Sequence, residues 1–152
     1  MILNGESILS RGIFNPATVR TVHEPTKLTY GASYAGYDVR LRENIDLLPG
    51  AFVLGSTLEH FTVPNDLVGL VNDKSSLARL GIFLGVGVIE PGWSGWLTLE
   101  IKNFTEKCIS LTSGMPIAQI MFYTLEKPAS VGYSGEYMNQ AAAPVGSKAV
   151  GI

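Results

Sequence analysis

Apolar residues along the chain fall in short runs, and several of them alternate with polar ones. The alternation is cleanest in "GWLTLEIKNF", residues 95–104. There Leu97, Leu99 and Ile101 point to one side of an extended chain, and Trp96, Thr98, Glu100 and Lys102 to the other. "AFVLGSTLEHFTVP", residues 51–64, predicts two short strands or one bent one, and "DLVGLVND", residues 66–73, a further short strand. "CISLTSGMPIAQIMFYTLE", residues 108–126, reads as strand, Ser-Gly turn and strand, hence a hairpin. Helix signals are few. "NGESILSRG" predicts a short helix with Asn4 as N-cap and Gly12 just past its end. "DKSSLARLG" predicts another, with Asp73 as N-cap and Gly81 closing it. From about residue 129 the chain turns small and polar, which predicts a tail or flap without a core of its own.

Composition sharpens this into a fold class. Seventeen glycines and eight prolines punctuate the apolar runs, the pattern of an all-β sandwich or barrel. A length of 152 residues suits one domain with a real core. Hydrophobic residues make up 46% and charged residues 16%, which places the chain among globular, soluble proteins. The formal net charge of −2, without clustered Lys and Arg, argues against nucleic-acid binding. No apolar run is long enough for a membrane helix, and the N-terminus lacks the basic start and apolar stretch of a secretory signal. A lone cysteine excludes an internal disulfide and fits a reducing, cytoplasmic compartment.

The shortage of metal ligands changes the picture most. Cys108, His23 and His60 are the only thiol and imidazoles, so one chain cannot build a four-ligand Cys/His zinc site. The His-x-Glu and Pro-Cys-x-x-Cys pattern of zinc deaminases is absent. Cys108 lies in "EKCISL", which alternates like a strand and predicts a buried, inert thiol.

Three stretches carry candidate chemistry. At the start of "DKSSLARLG", unpaired backbone N–H groups, the hydroxyls of Ser75 and Ser76, and the cations of Lys74 and Arg79 make an anion site for a phosphate; a plain capped helix is the other reading. "GVGVIE" is neither a dinucleotide fingerprint nor a P-loop, because Glu90 stands where a third glycine would be and no Gly-Lys-Ser/Thr follows. Glu100 faces away from Leu97, Leu99 and Ile101. It is either a solvated glutamate paired with Lys102 or, beside Trp96, a carboxylate in a pocket that trades protons. Asp38 in "YAGYDVRL" reads alone as no more than a turn cap, and Gln119 as a hydrogen-bonded strand residue.

Taken in order, "AGYDVRL", "DKSSLARLG", "GVIEPGWSGWLTLEI", "GMPIAQIMF" and "YSGEYMNQAAAPVGS" resemble the five motifs shared by dCTP deaminases and trimeric dUTPases. The resemblance spans residues 35–147 and is nearest to the deaminase branch. It implies a distorted jelly-roll β-barrel of the β-clip type with one or two short helices, the barrel over residues 1–128 and a flap over residues 129–152 closing on a nucleotide. It also implies a homotrimer with active sites between subunits, and Mg²⁺ held through the substrate's triphosphate.

Carried over by residue, Ser75, Ser76 and Arg79 would hold phosphates with Lys74 assisting. Glu90 would lie near the deoxyribose, Thr98 and Leu99 would line the base through their backbone, and Tyr133 and Gln140 would reach the phosphates. Glu100 matches the deaminase glutamate, with Arg79 orienting it. The implied reaction is dCTP to dUTP and ammonia; the alternatives are cleavage of dUTP to dUMP and diphosphate, or both reactions together. Three departures stand out. Glu90 replaces the usual aspartate, the connection from "RLG" to "VIEPG" is short, and Glu136 in "GEYMNQ" stands where relatives commonly carry lysine, so that either Lys148 substitutes for that lysine or Glu136 points away.

Overall fold

The computed structural model describes residues 1–85 and 87–151. Helix α1 (Gly5–Ser10) opens the chain and is capped as its sequence predicts. The Asn4 side chain accepts from Ser7 N at 2.9 Å, and Gly12 follows at φ 64°, a left-handed conformation that suits glycine.

The strands follow in three sheets. β1 (Phe14–Asn15), β2 (Thr21–Val22), β3 (Thr29–Ser33), β4 (Gly36–Arg40) and β5 (Ile45–Leu47) lead to the long β6 (Phe52–Thr62). After β7 (Leu67–Asp73) come the one-turn helix α2 (Ser75–Ala78), β8 (Ile82–Leu84) and β9 (Val88–Ile89). β10 (Ser94–Asn103), β11 (Ile109–Leu111) and β12 (Pro116–Thr124) complete the set. A six-stranded sheet has the order β2-β3-β4-β12-β7-β9, a four-stranded sheet β1-β6-β10-β8, and β5 pairs with β11. The ladders of these sheets are antiparallel among the described residues, and the sheets curl into a distorted jelly-roll barrel with two short helices among those residues. No described helix is long and apolar enough to cross a membrane.

The inward residues of both larger sheets meet in one core. Phe14 stacks on Tyr37 with ring centroids 3.9 Å apart and meets Phe61 edge-on at 4.7 Å. Tyr37, Phe61 and Phe122 are fully buried. Each such ring contributes about 1.5–3 kcal/mol by leaving water. Burial also pushes the Tyr37 hydroxyl above its ordinary pKa, although its oxygen accepts from Thr18 N at 3.0 Å.

Three expectations need correction. The segment 108–126 is not a hairpin: β11 pairs with β5, while β12 lies between β4 and β7. Both edges of β12 are therefore taken, and the turn that closes with Met115 N on Thr112 O hands the chain from one sheet to another. Cys108 is exposed, not buried. Asn103 explains this by accepting from Thr105 N and donating to Lys107 O, which holds a tight loop whose exit is Cys108. Finally, Asp73 does not cap α2. Its Oδ1 accepts from Leu84 N at 2.7 Å, tying β7 to β8, and Lys74 holds the N-cap position without a side-chain bond. The other end behaves as predicted, with Gly81 at φ 82° closing the turn.

Candidate active site

The site is built on β10 and its irregular pairing with β6. Trp96 is opposite His60 and Thr98 opposite Ser56, so three residues of β6 face Leu97 alone. Thr57 fills this bulge by accepting from Leu97 N at 3.0 Å and donating to Glu59 O at 2.8 Å. Bulges re-aim side chains next to functional sites, and here the alternation read from the sequence holds only beyond it. Leu99 and Ile101 are buried and Glu100 is exposed, but Leu97 is only partly buried.

A cavity of about 510 Å³ opens beside this strand. Glu90, Leu97, Thr98, Leu99 and Glu100 line it from the barrel. Among the described residues neither carboxylate enters a hydrogen bond or ion pair with a side chain or backbone group. Lys102 does not pair with Glu100; its ammonium donates to Gly50 O. Gly85 lies against Glu100, with Gly85 N donating to Glu100 O at 2.8 Å, and a Cβ at Gly85 would stand 3.0 Å from Glu100 Oε2. A side chain there would push on the carboxylate.

The aromatic wall comes from a different tryptophan than the sequence suggests. Trp96 packs edge-on to His60 at 4.7 Å with the Arg42 guanidinium over its ring at 5.6 Å, and is not among the cavity residues. Trp93, Tyr133 and Tyr137 form the wall instead. Trp93 and Tyr137 were missed in the sequence, although "PGWSGW" and "GEYMNQ" both contain the signal.

The tail that follows β12 covers the cavity of its own chain. Tyr133 N donates to Pro91 O at 2.7 Å, and Trp93 Nε1 donates to Tyr137 O at 2.8 Å. Gly92 makes the first contact possible, because a Cβ there would lie 2.7 Å from Gly132 Cα. Gln140 does not stand free to meet a phosphate. Its Oε1 accepts from Thr98 N at 3.3 Å and from Thr98 Oγ1 at 3.1 Å. Lys148 lies over the Tyr137 ring at 5.6 Å.

The second group of predicted residues lies elsewhere. Lys74, Ser75, Ser76 and Arg79 are not among the residues lining the cavity. Ser75, Ser76 and Arg79 are exposed on α2 and the residue after it. Lys74 is committed: its Nζ lies 2.8 Å from Oδ2 of Asp38, and both side chains are almost buried. Asp38 is thus a strand residue holding a buried ion pair and not a turn cap, and its Oδ1 has no protein partner. The ion pairs among the described residues do not include Arg79 with Glu100.

Around Glu100 the sheet face is apolar and uncovered. Phe52 is 59% exposed, Phe83 40% and Phe104 67%. Phe52 and Phe83 both pair with Lys102, so they share a face, and Phe104 meets Phe83 edge-on at 5.4 Å.

Comparison with known proteins agrees with this architecture. A family model described as dCTP deaminase-like matches residues 7–125. A protein of Dictyoglomus turgidum named "dCTP deaminase, dUMP-forming" is 44% identical over 108 residues, which is 67% of this chain and 55% of the relative. A Corynebacterium glutamicum protein of the same name is 38% identical over 123 residues, 80% of this chain and 64% of the relative. The chain thus spans about half to two thirds of the length of these relatives. Among solved structures, the dUTPase of Staphylococcus bacteriophage 80alpha superposes with a TM-score of 0.57 at 21% identity, over 79% of this chain and 90% of that one. The EIAV dUTPase gives 0.54 at 23% identity, over 66% and 84%. These structural likenesses bear on the fold.

Proposed function

The chain belongs to the dCTP deaminase-like family, and on that premise we propose that it deaminates dCTP at the Glu100 cavity and carries the product on to dUMP. Sequence reasoning ranks dUTP first as the product. Two findings move dUMP ahead: Glu90 and Glu100 line one cavity, and the relatives described above carry the name dUMP-forming. The first of these is the observation on which the reading rests.

In this reading each carboxylate has one task. Cytosine lies against the backbone of Thr98 and Leu99. Water attacks C4 as Glu100 takes one of its protons and delivers it to ring N3; Glu100 then carries the second proton, from the C4 hydroxyl so formed, to the amine, the C4–N bond breaks, and ammonia leaves uracil. General acid–base catalysis of this kind is worth about a hundred- to ten-thousand-fold; positioning and charge stabilisation supply the rest. Glu90, near the sugar, helps a second water attack the α-phosphorus, releasing diphosphate. Glu90 is a methylene longer than the usual aspartate and reaches correspondingly further. Mg²⁺ would arrive with the triphosphate, as the family resemblance implies.

The phosphate end comes from a second copy. Ser75, Ser76 and Arg79 are exposed on α2 and the residue after it, and an exposed face of Phe52, Phe83 and Phe104 continues along β10 from Glu100. An exposed apolar patch of this kind marks an interface. A homotrimer would cover it and bring one chain's α2 to its neighbour's Glu100. Residues 1–128 then act as the barrel and residues 129–152 as the flap, and the cytoplasm is the place of action.

Chromatography of products from dCTP and from dUTP with magnesium tests this. dUMP and diphosphate from dCTP are expected. Accumulating dUTP would remove Glu90 from the reaction, and turnover of neither nucleotide would overturn the function.

A further inference from the structure

The donors of Thr98 are taken by the chain's own tail, and what takes them resembles the base. The Gln140 amide presents an acceptor next to a donor, as the edge of a pyrimidine does. Its oxygen receives both Thr98 N–H and Thr98 O–H.

The placement is built into the tail's backbone. Asn139 N donates to Ser94 O at 2.8 Å and Trp96 N to Gln140 O at 3.2 Å, a parallel bridge on the edge of β10. Asn139 has φ 56°, and a left-handed turn at this residue carries Gln140 back over the strand. On the barrel side, a Cβ at Gly95 would lie 2.7 Å from Gln140 N, so only glycine lets the tail approach so closely. The chain then returns a second time, and Val145 N donates to Thr98 Oγ1 at 3.0 Å.

We propose that Gln140 is an intramolecular stand-in for the pyrimidine, holding the Thr98 donors until a nucleotide displaces it. The inference rests on the reading that this cavity holds the base. A polar group left unpaired in a partly buried cavity is costly, and Gln140 removes that cost while the cavity is empty. The incoming base must then exchange one amide for another, so its affinity is reduced by the fraction of chains in which Gln140 is seated. The backbone contacts of Asn139 and Gln140 can persist through the exchange, because only the side chain has to leave.

Deoxycytidine, which carries no phosphate, isolates this effect from any contact of the tail with phosphates. Its binding to the full chain and to Gln140→Ala would be measured by calorimetry, and hydrogen exchange of the Thr98 amide in both proteins without nucleoside. We expect faster Thr98 exchange in the variant and about five-fold tighter deoxycytidine binding, the equivalent of one net hydrogen bond. Equal or weaker nucleoside binding to the variant, or equal Thr98 exchange in both proteins, would overturn the stand-in and leave the functional reading in place. No nucleoside binding to either protein would overturn both.

Discussion

Glu100 lies on a strand held from both sides: Leu54 is its partner on β6, and Gly85 presses close to its carboxylate. Ser75, Ser76 and Arg79, by contrast, stand on or next to a single helical turn open to solvent. The first group is lined with aromatics and covered by the chain's own tail; the second is anchored from below, through Leu77 in the core and Lys74 on Asp38. A strand register positions an atom far more tightly than one exposed turn does. On the proposed reading the difference suits chemistry at the first place and grip on a mobile triphosphate at the second. On that same reading a single chain is incomplete, since the two groups do not line the same cavity.

The largest effect expected is at Glu100. Glu100→Gln should lower deamination by about a hundred- to ten-thousand-fold while nucleotide binding survives; retained turnover would end its role as proton carrier. Arg79→Ala should also be inactive. If the two groups come from different copies, mixing the Glu100→Gln and Arg79→Ala proteins should restore part of the activity, because some sites in mixed assemblies contain neither change. Absence of any recovery would tell against sites shared between subunits.

Next in size is Lys74. Lys74→Met leaves the Asp38 carboxylate buried without its cation, which costs about 3–5 kcal/mol. Urea unfolding measures this. Unchanged stability with weakened nucleotide binding would mean that Lys74 leaves Asp38 to serve the phosphates.

Deleting the chain after Tyr133 should weaken catalysis and leave the barrel's melting temperature nearly unchanged, because the last strand ends at Thr124. Normal turnover by the shortened protein would refute the flap.

The smallest effect concerns His60. Burial lowers its pKa below the ordinary value. The folded state therefore favours neutral imidazole, and the unfolded chain binds more protons below pH of about 6.5. This part of the stability is present above that pH and is lost as the pH falls through the interval down to the lowered value. His60→Gln should flatten the dependence, read as melting temperature between neutral and mildly acidic pH; an unaltered slope would assign it to other groups.

Much of this was legible in the chain itself. Period-two alternation fixed the faces of Leu99, Glu100 and Ile101, Asn4 and Gly12 marked a helix, and the polar composition after residue 129 marked a segment without its own core. These are local signals: a cap, a pleat and a turn residue each act over a few positions. The tertiary structure alone decided which strands pair, and hence that β12 leaves β11 for β4 and β7. It also decided that Trp93 and not Trp96 stands in the cavity wall, and that Asp38 claims Lys74. Each depends on residues far apart in sequence competing for one hydrogen-bonding edge or one buried charge, and no local pattern records the outcome of that competition.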